Sequence, residues 1–159
     1  MKSNFKNSAF LLATGSLALS SMPLVANSNI TQIATNQAPK AIGPYSQAVC
    51  AGPYIFLSGQ IAIDPAVGKL VGETIVEQTQ QVLKNIEAIL ATQGLTLENV
   101  VKTEVYLKDL KDFSAMNSIY AEKFSYEIKP ARATVQISKL PLDALVEISC
   151  IAFIPGATT

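Results

Sequence analysis

The stretch Leu145-Val146-Glu147-Ile148-Ser149-Cys150-Ile151-Ala152-Phe153-Ile154 carries one charge, on Glu147. Successive side chains of a β-strand point to opposite faces. Glu147 therefore shares a face with Leu145, Ser149, Ile151 and Phe153, and Val146, Ile148, Cys150, Ala152 and Ile154 form the other. Both faces are apolar, so this strand belongs in a sheet covered on both sides. A carboxylate in such a place is costly unless it is paired or hydrogen-bonded. Glu147 either forms an ion pair or works in a site.

The other elements follow from periodicity. Thr74 to Gln93 reads as a helix: Thr74 and Glu77 form a capping box, and Ile75, Val82, Leu83, Ile86, Ile89 and Leu90 fall on one face. Gly94 sits where a left-handed cap closes a helix. Asp112 is placed to cap a second helix, with Phe113, Met116, Tyr120 and Phe124 inward. Val101 to Leu107 alternates as a half-buried strand. Ser46 to Ala51 and Tyr54 to Ile61 read as strands joined at Gly52-Pro53, Asp64 to Lys69 as a loop, and Arg132 to Ile137 as a further strand. Two helices on one sheet give an α+β fold, a two-layer sandwich. Two helices cover one face, so a second subunit is expected to cover the other.

Arg132 is the sole arginine among twelve basic residues. Arginine offers a planar fork that grips a carboxylate or phosphate by two parallel hydrogen bonds, which lysine does not. Pro130, Ala131 and Ala133 around it read as a strand start. Two readings stand here: a structural ion pair with a strand acid such as Glu147, or an anion-binding residue facing a cleft.

Composition narrows the functions. The 159 residues fit one domain with a real core. Formal charge is zero and no basic run appears, which argues against nucleic acid as a partner. The chain has no histidine, which excludes imidazole-based zinc sites and Ser-His or Cys-His nucleophiles. Cys50 and Cys150 are too far apart for a CxxC motif and read as core thiols. No metal and no cofactor is expected.

The N-terminus reads separately. Lys2 and Lys6 precede an apolar run from Ala9 to Leu19, Ser20-Ser21-Met22-Pro23 ends it, and Ala26-Asn27-Ser28 supplies small residues. This is the layout of a secretory signal peptide over residues 1–28, too short and interrupted to span a bilayer. The alternative for the segment is a disordered or lipid-surface N-terminal tail, and the alternative location is cytoplasmic. Without Lys2 and Lys6 the remaining chain has ten bases against twelve acids, a net charge of −2. The expected organisation is a signal peptide over 1–28, a linker over 29–33, the domain over 34–155 and a tail over 156–159. The mature form is expected to be exported, with no membrane span.

Several separated motifs occur in order: Ala41-Ile42-Gly43-Pro44-Tyr45-Ser46-Gln47-Ala48, Leu57-Ser58-Gly59-Gln60, Phe113-Ser114-Ala115-Met116-Asn117, Pro130-Ala131-Arg132-Ala133-Thr134, Leu140-Pro141 and Val146-Glu147-Ile148. Together they resemble the Rid family of reactive-imine deaminases, and within it the RidA-type subgroup, from about Ile33 to Pro155. The resemblance implies a chorismate-mutase-like fold with a mixed, mostly antiparallel sheet, assembled as a homotrimer with clefts between subunits. It implies hydrolysis of 2-imino acids, such as 2-iminobutanoate and 2-iminopropanoate, or their enamine tautomers, to 2-oxo acids and ammonia. Carried over by position, Arg132 grips the substrate carboxylate and Glu147 stands by the attacking water. Tyr45, Ser58, Gly59, Asn117 and Thr134 match pocket positions. Thr134 departs from relatives that often carry cysteine there.

The chemistry suits what the chain has and lacks. A protonated imine carbon is electrophilic without a metal or a covalent nucleophile. The site must orient the imine, position a water and move a proton. Period two places Phe56, Ser58 and Gln60 on one face, with Gly59 letting a ligand approach the backbone; the alternative for Ser58 and Gly59 is a β-bulge or tight packing. Two other function classes fit the same fold: a non-catalytic small-molecule-binding or chaperone-like protein, and an RNA-cleaving translation inhibitor.

Overall fold

The computed structural model describes residues 30–156, so the expected signal peptide over 1–28 lies outside the described residues. The strands are β1 (Ile30–Ile33), β2 (Ala48–Ala51), β3 (Tyr54–Gln60), β4 (Ile63–Asp64), β5 (Lys69–Leu70), β6 (Val100–Leu107), β7 (Ala131–Gln136) and β8 (Val146–Phe153). The α-helices are α1 (Ile75–Ala91) and α2 (Phe113–Lys123). Six strands form one sheet in the order β1-β2-β3-β8-β6-β7, and β4 and β5 form a separate hairpin. Within the large sheet every pairing is antiparallel except β6 with β7. The fold is the expected α+β sandwich with both helices on one face.

β8 stands between β3 and β6, which explains its apolar sequence. Val146, Ile148, Cys150 and Ala152 are buried under the helices. All six expected apolar residues of α1 join them in the core. The Thr74–Glu77 capping box forms, with Thr74 N–H donating to Glu77 Oε2 at 3.0 Å and Glu77 N–H donating to Thr74 Oγ1 at 3.3 Å. Gly94 holds φ +68°, the left-handed geometry that ends a helix at little cost for glycine.

Two buried amides tie α1 to the chain around the open end of the sheet. Gln78 Nε2 donates to the Gly72 carbonyl at 2.9 Å, and its Oε1 accepts from Leu145 N–H at 2.8 Å. Asn85 Nδ2 donates to the carbonyls of Ile61 and Ile63. These bonds fix the exit of β3 and the entry of β8.

The other sheet face is bare within the protomer. Tyr54, Phe56, Val101, Val135 and Phe153 are exposed, and Tyr54 and Phe153 pack ring to ring at 5.7 Å. This is the uncovered apolar face that the sequence of β8 implies.

Five local expectations need correction. Ile30–Ile33, read as linker, pairs with β2 as an edge strand, because one buried side chain, Ile33, is enough to anchor so short an element. Asp64 to Lys69 is the hairpin joining β4 to β5, not an open loop. Asp112 makes no capping bond; Asp109 does so one turn earlier, accepting from Lys111 N–H. Phe113 is not inward but partly exposed at the start of α2. The alternation of β6 breaks between Val100 and Lys102, so Val100 is buried and Val101 exposed.

Cys50 and Cys150 are free thiols, held apart by the intervening strand β3. Burial pushes the Cys150 thiol up to about 12.

Candidate active site

The pairing of β3 with β8 slips between Leu57–Cys150 and Gln60–Ile148. Ser58 and Gly59 thus stand opposite Ser149 alone, which is a β-bulge. The extra residue reverses the alternation: Leu57 and Gln60 are both buried while Phe56 is exposed. The expected common face for Phe56, Ser58 and Gln60 is therefore wrong, because a strand's parity changes where it gains an unpaired residue. Ser58 Oγ donates to the Ser46 carbonyl at 2.7 Å and Ser58 N–H to the Gln47 carbonyl at 3.0 Å. The bulge is thereby pinned to the segment that carries Tyr45.

Gly59 makes room for Glu147. A Cβ on Gly59 would lie 2.0 Å from Glu147 Oε1. The space expected for a ligand's approach holds this carboxylate instead. Among the described residues Glu147 has no cationic partner within salt-bridge distance and accepts no hydrogen bond. Burial raises its carboxyl above the ordinary value of 4.5, toward the range of a usable proton acceptor. The carboxylate opens into a cavity of about 380 Å³ lined by Tyr45, Ser58, Gly59 and Glu147 together with Lys40, Ile42, Ile63, Pro141 and Leu142. Gln47 secures its rim, accepting from Thr35 N–H at 2.6 Å and donating to the carbonyls of Thr35, Ala38 and Pro39. Leu142 and Asp143 adopt φ +53° and +59°, a left-handed turn held by an Asp143–Lys108 ion pair at 2.7 Å.

Arg132 is elsewhere. It lies on β7, an edge strand, in register with Thr103 of β6. Thr103 is buried and bonds Tyr120 of α2, so Arg132 is on the helix side of the sheet. Its guanidinium carbon sits 4.5 Å from the Tyr120 ring centre and 5.7 Å from that of Phe113. Among the described residues no carboxylate reaches it. Asn117 falls between Phe113 and Tyr120 on the same stripe of α2 and is half-buried. Thr134, two residues along β7, has a buried hydroxyl oxygen without a partner.

The seven expected site residues therefore fall into two separate groups. Tyr45, Ser58, Gly59 and Glu147 share the cavity; Arg132, Asn117 and Thr134 share the β7–α2 edge. Glu147 is level with Tyr106 and Val135, three residues beyond Arg132 and two strands away, on the opposite sheet face. Standard strand spacing and rise put the two Cα atoms roughly 14 Å apart. An ion pair between Arg132 and Glu147 inside one protomer is excluded by this placement. Sequence reading missed Phe113 and Tyr120 as partners of Arg132. Their spacing with Asn117 marks a shared helix face, but only the parallel β6–β7 pairing aims that face at Arg132.

Residues 35–154 match the family model described as Endoribonuclease L-PSP. A RutC family protein of Pyrococcus horikoshii is 54% identical over 121 residues, 76% of this chain and 95% of the relative. The chloroplastic Reactive Intermediate Deaminase A of Arabidopsis thaliana is 44% identical over 146 residues, 91% of this chain and 78% of the relative. The crystal structure of RidA from an Antarctic Psychrobacter superposes with a TM-score of 0.74 at 42% identity, covering 78% of this chain and 99% of that one.

Proposed function

This chain belongs to the Endoribonuclease L-PSP family, in which the Rid proteins fall, and from that premise we propose that it is a hydrolytic deaminase of 2-imino acids and their enamine tautomers, 2-iminobutanoate and 2-iminopropanoate among them. The observation that carries the reading is a pair of unpartnered charges: a guanidinium with a free fork on one edge and a half-buried carboxylate in a cavity on the other face. Neither is explained as part of the fold, since neither has an ion partner among the described residues. A second copy of the chain is the simplest way to bring them together. A homotrimer closed through the bare sheet face would place the β7–α2 edge of one protomer at the cavity of its neighbour.

In such a cleft Arg132 holds the substrate carboxylate by two hydrogen bonds and so fixes C2 of the imine. Glu147 accepts a proton from a water as that water's oxygen bonds to C2. The C=N π pair moves to nitrogen, giving a tetrahedral carbinolamine. The proton on Glu147 passes to the amino nitrogen, the C–N bond breaks and ammonia leaves, and the hydroxyl returns its proton to the Glu147 carboxylate as the C–O bond becomes the carbonyl of the 2-oxo acid; ammonia then carries that proton away as ammonium. Tyr45, Ser58, Asn117 and Thr134 line the cleft, and Gly59 leaves the niche in which Glu147 sits. No step calls for a metal or a cofactor.

The alternatives are a binding or chaperone-like protein without turnover, and an RNA-cleaving protein. Zero formal charge and the lack of histidine disfavour the latter. Ammonia release from freshly generated 2-iminopropanoate, followed with purified protein, separates the first from the deaminase. A rate no faster than buffer alone overturns the deaminase reading. Light scattering is expected to give three times the protomer mass, and a monomer at micromolar concentration overturns the shared cleft. Export is part of the proposal and rests on the sequence of residues 1–28 alone; protein from the native cell is then expected to begin near Asn29, and an intact Met1 overturns it.

A further inference from the structure

Arg132 rests on a layered aromatic support. Its guanidinium carbon lies 4.5 Å from the Tyr120 ring centre, and the far face of that ring stacks on Phe124 at 4.3 Å with 27° between planes. Tyr120 and Phe124 are both buried. The Tyr120 hydroxyl is 2.7 Å from the hydroxyl of Thr103, which is fully buried on β6 directly beside Arg132. The ring is thus held on one face by Phe124 and at its tip by Thr103. The Phe113 ring, 5.7 Å away, bounds a second side of the guanidinium. A planar cation over aromatic rings is attracted by their negative faces and keeps its in-plane N–H donors free, which a side chain paired to a carboxylate does not.

We propose that Tyr120 is a positioning residue for Arg132. Its ring sets the plane of the guanidinium so that the fork faces outward for a carboxylate ligand, Thr103 locks the ring, and Phe113 limits the swing of the side chain. This rests on the reading that Arg132 grips the substrate carboxylate, and it goes further by assigning what aims that grip. It also explains why arginine stands here: a lysine ammonium has no plane to stack.

The test titrates 2-oxobutanoate, a simple 2-oxo carboxylate, into purified protein by NMR for wild type, Tyr120→Leu, Arg132→Ala and the double variant. Tyr120→Leu is expected to weaken binding about fivefold, the upper scale of a cation–π contact at an exposed site. In the Arg132→Ala background the same change is expected to have no further effect, since a residue that acts through Arg132 has nothing left to aim. Tyr120→Phe keeps the ring and is expected to recover most of the loss. Phe113 is partly exposed, so Phe113→Leu remains testable if Tyr120→Leu does not fold, and it is expected to weaken binding about threefold. Wild-type affinity in folded Tyr120→Leu, or in Phe113→Leu where Tyr120→Leu does not fold, while Arg132→Ala loses binding, overturns the positioning role and leaves the deaminase reading standing. An equal loss from Tyr120→Leu with and without Arg132 overturns it as well, because that is a general packing defect. Wild-type affinity in Arg132→Ala removes the carboxylate grip itself, and the positioning role falls with it.

Discussion

Replacing Gly59 with alanine is expected to disable the candidate base without disturbing the fold. The Gly59 backbone lies outside the left-handed region, so alanine is conformationally permitted. The new methyl would stand 2.0 Å from Glu147 Oε1 and 2.7 Å from its carboxyl carbon. Ordinary contact begins near 3.4 Å, so the carboxylate has to retreat by about 1.4 Å. It can do so, because it is the end of a flexible side chain beside a cavity. Holding Glu147 off its preferred rotamer costs about 0.5–1.5 kcal/mol. The lost freedom of the unfolded chain returns about 0.4–1 kcal/mol. The two nearly cancel, and the melting temperature is expected to move by less than about 4 °C. Misplacing a catalytic group by about 1 Å can cost on the order of a hundredfold in rate. Ammonia release and thermal melting on the same preparation give both numbers. In a Glu147→Gln background, Gly59→Ala is expected to cost nothing more. A Gly59→Ala protein within twofold of wild-type rate would refute the reasoning. A further hundredfold loss on top of Glu147→Gln would do so too, by placing Gly59 against substrate and not against Glu147.

Arg132→Lys is expected to lower imine hydrolysis on the order of a hundredfold through lost orientation while the protein stays folded. Breaking a buried ion pair would instead cost roughly 3–5 kcal/mol, and among the described residues Arg132 has no such pair; wild-type activity in folded Arg132→Lys ends its assignment. Glu147→Gln is expected to slow turnover roughly a hundred- to ten-thousandfold with a smaller change in KM. Glu147 also makes a pH prediction. Burial raises its carboxyl above 4.5, so the folded state holds that proton more tightly than the unfolded chain does. Stability therefore falls as pH rises from the unfolded value through the folded one. Glu147→Gln should be more stable than wild type at pH 7, with the gap closing below pH 4.5, and the acid limb of kcat/KM should lie above that value. A constant gap from pH 4 to 7 would contradict this. Iodoacetamide is expected to label Cys50 before Cys150, since Cys150 is buried with its thiol pushed up to about 12, and reduction should leave the mass unchanged.

The sequence by itself determined the elements whose signal is local and periodic. The apolar stripe and capping box of α1, the glycine at its end and the two-faced apolarity of β8 each lie within one short window, and each is present as read. From them followed the α+β class, both helices on one face, and a bare opposite face. The motifs around Tyr45, Ser58, Arg132 and Glu147 likewise pointed to the family. Tertiary structure decided whatever depends on which strand lies alongside. The bulge at Ser58 and Gly59 and the slip at Val100 are invisible to period-two counting, because an unpaired residue is defined by its neighbouring strand. β1 is exposed along most of its length and is a strand only because β2 offers it a hydrogen-bonding edge. The parallel pairing of β6 with β7 sets Arg132 on the helix side over Tyr120, and the antiparallel pairing of β6 with β8 sets Glu147 on the other. A side chain's type and spacing are written in the chain, but the face it occupies and the residue it meets are fixed only when strands choose partners and register.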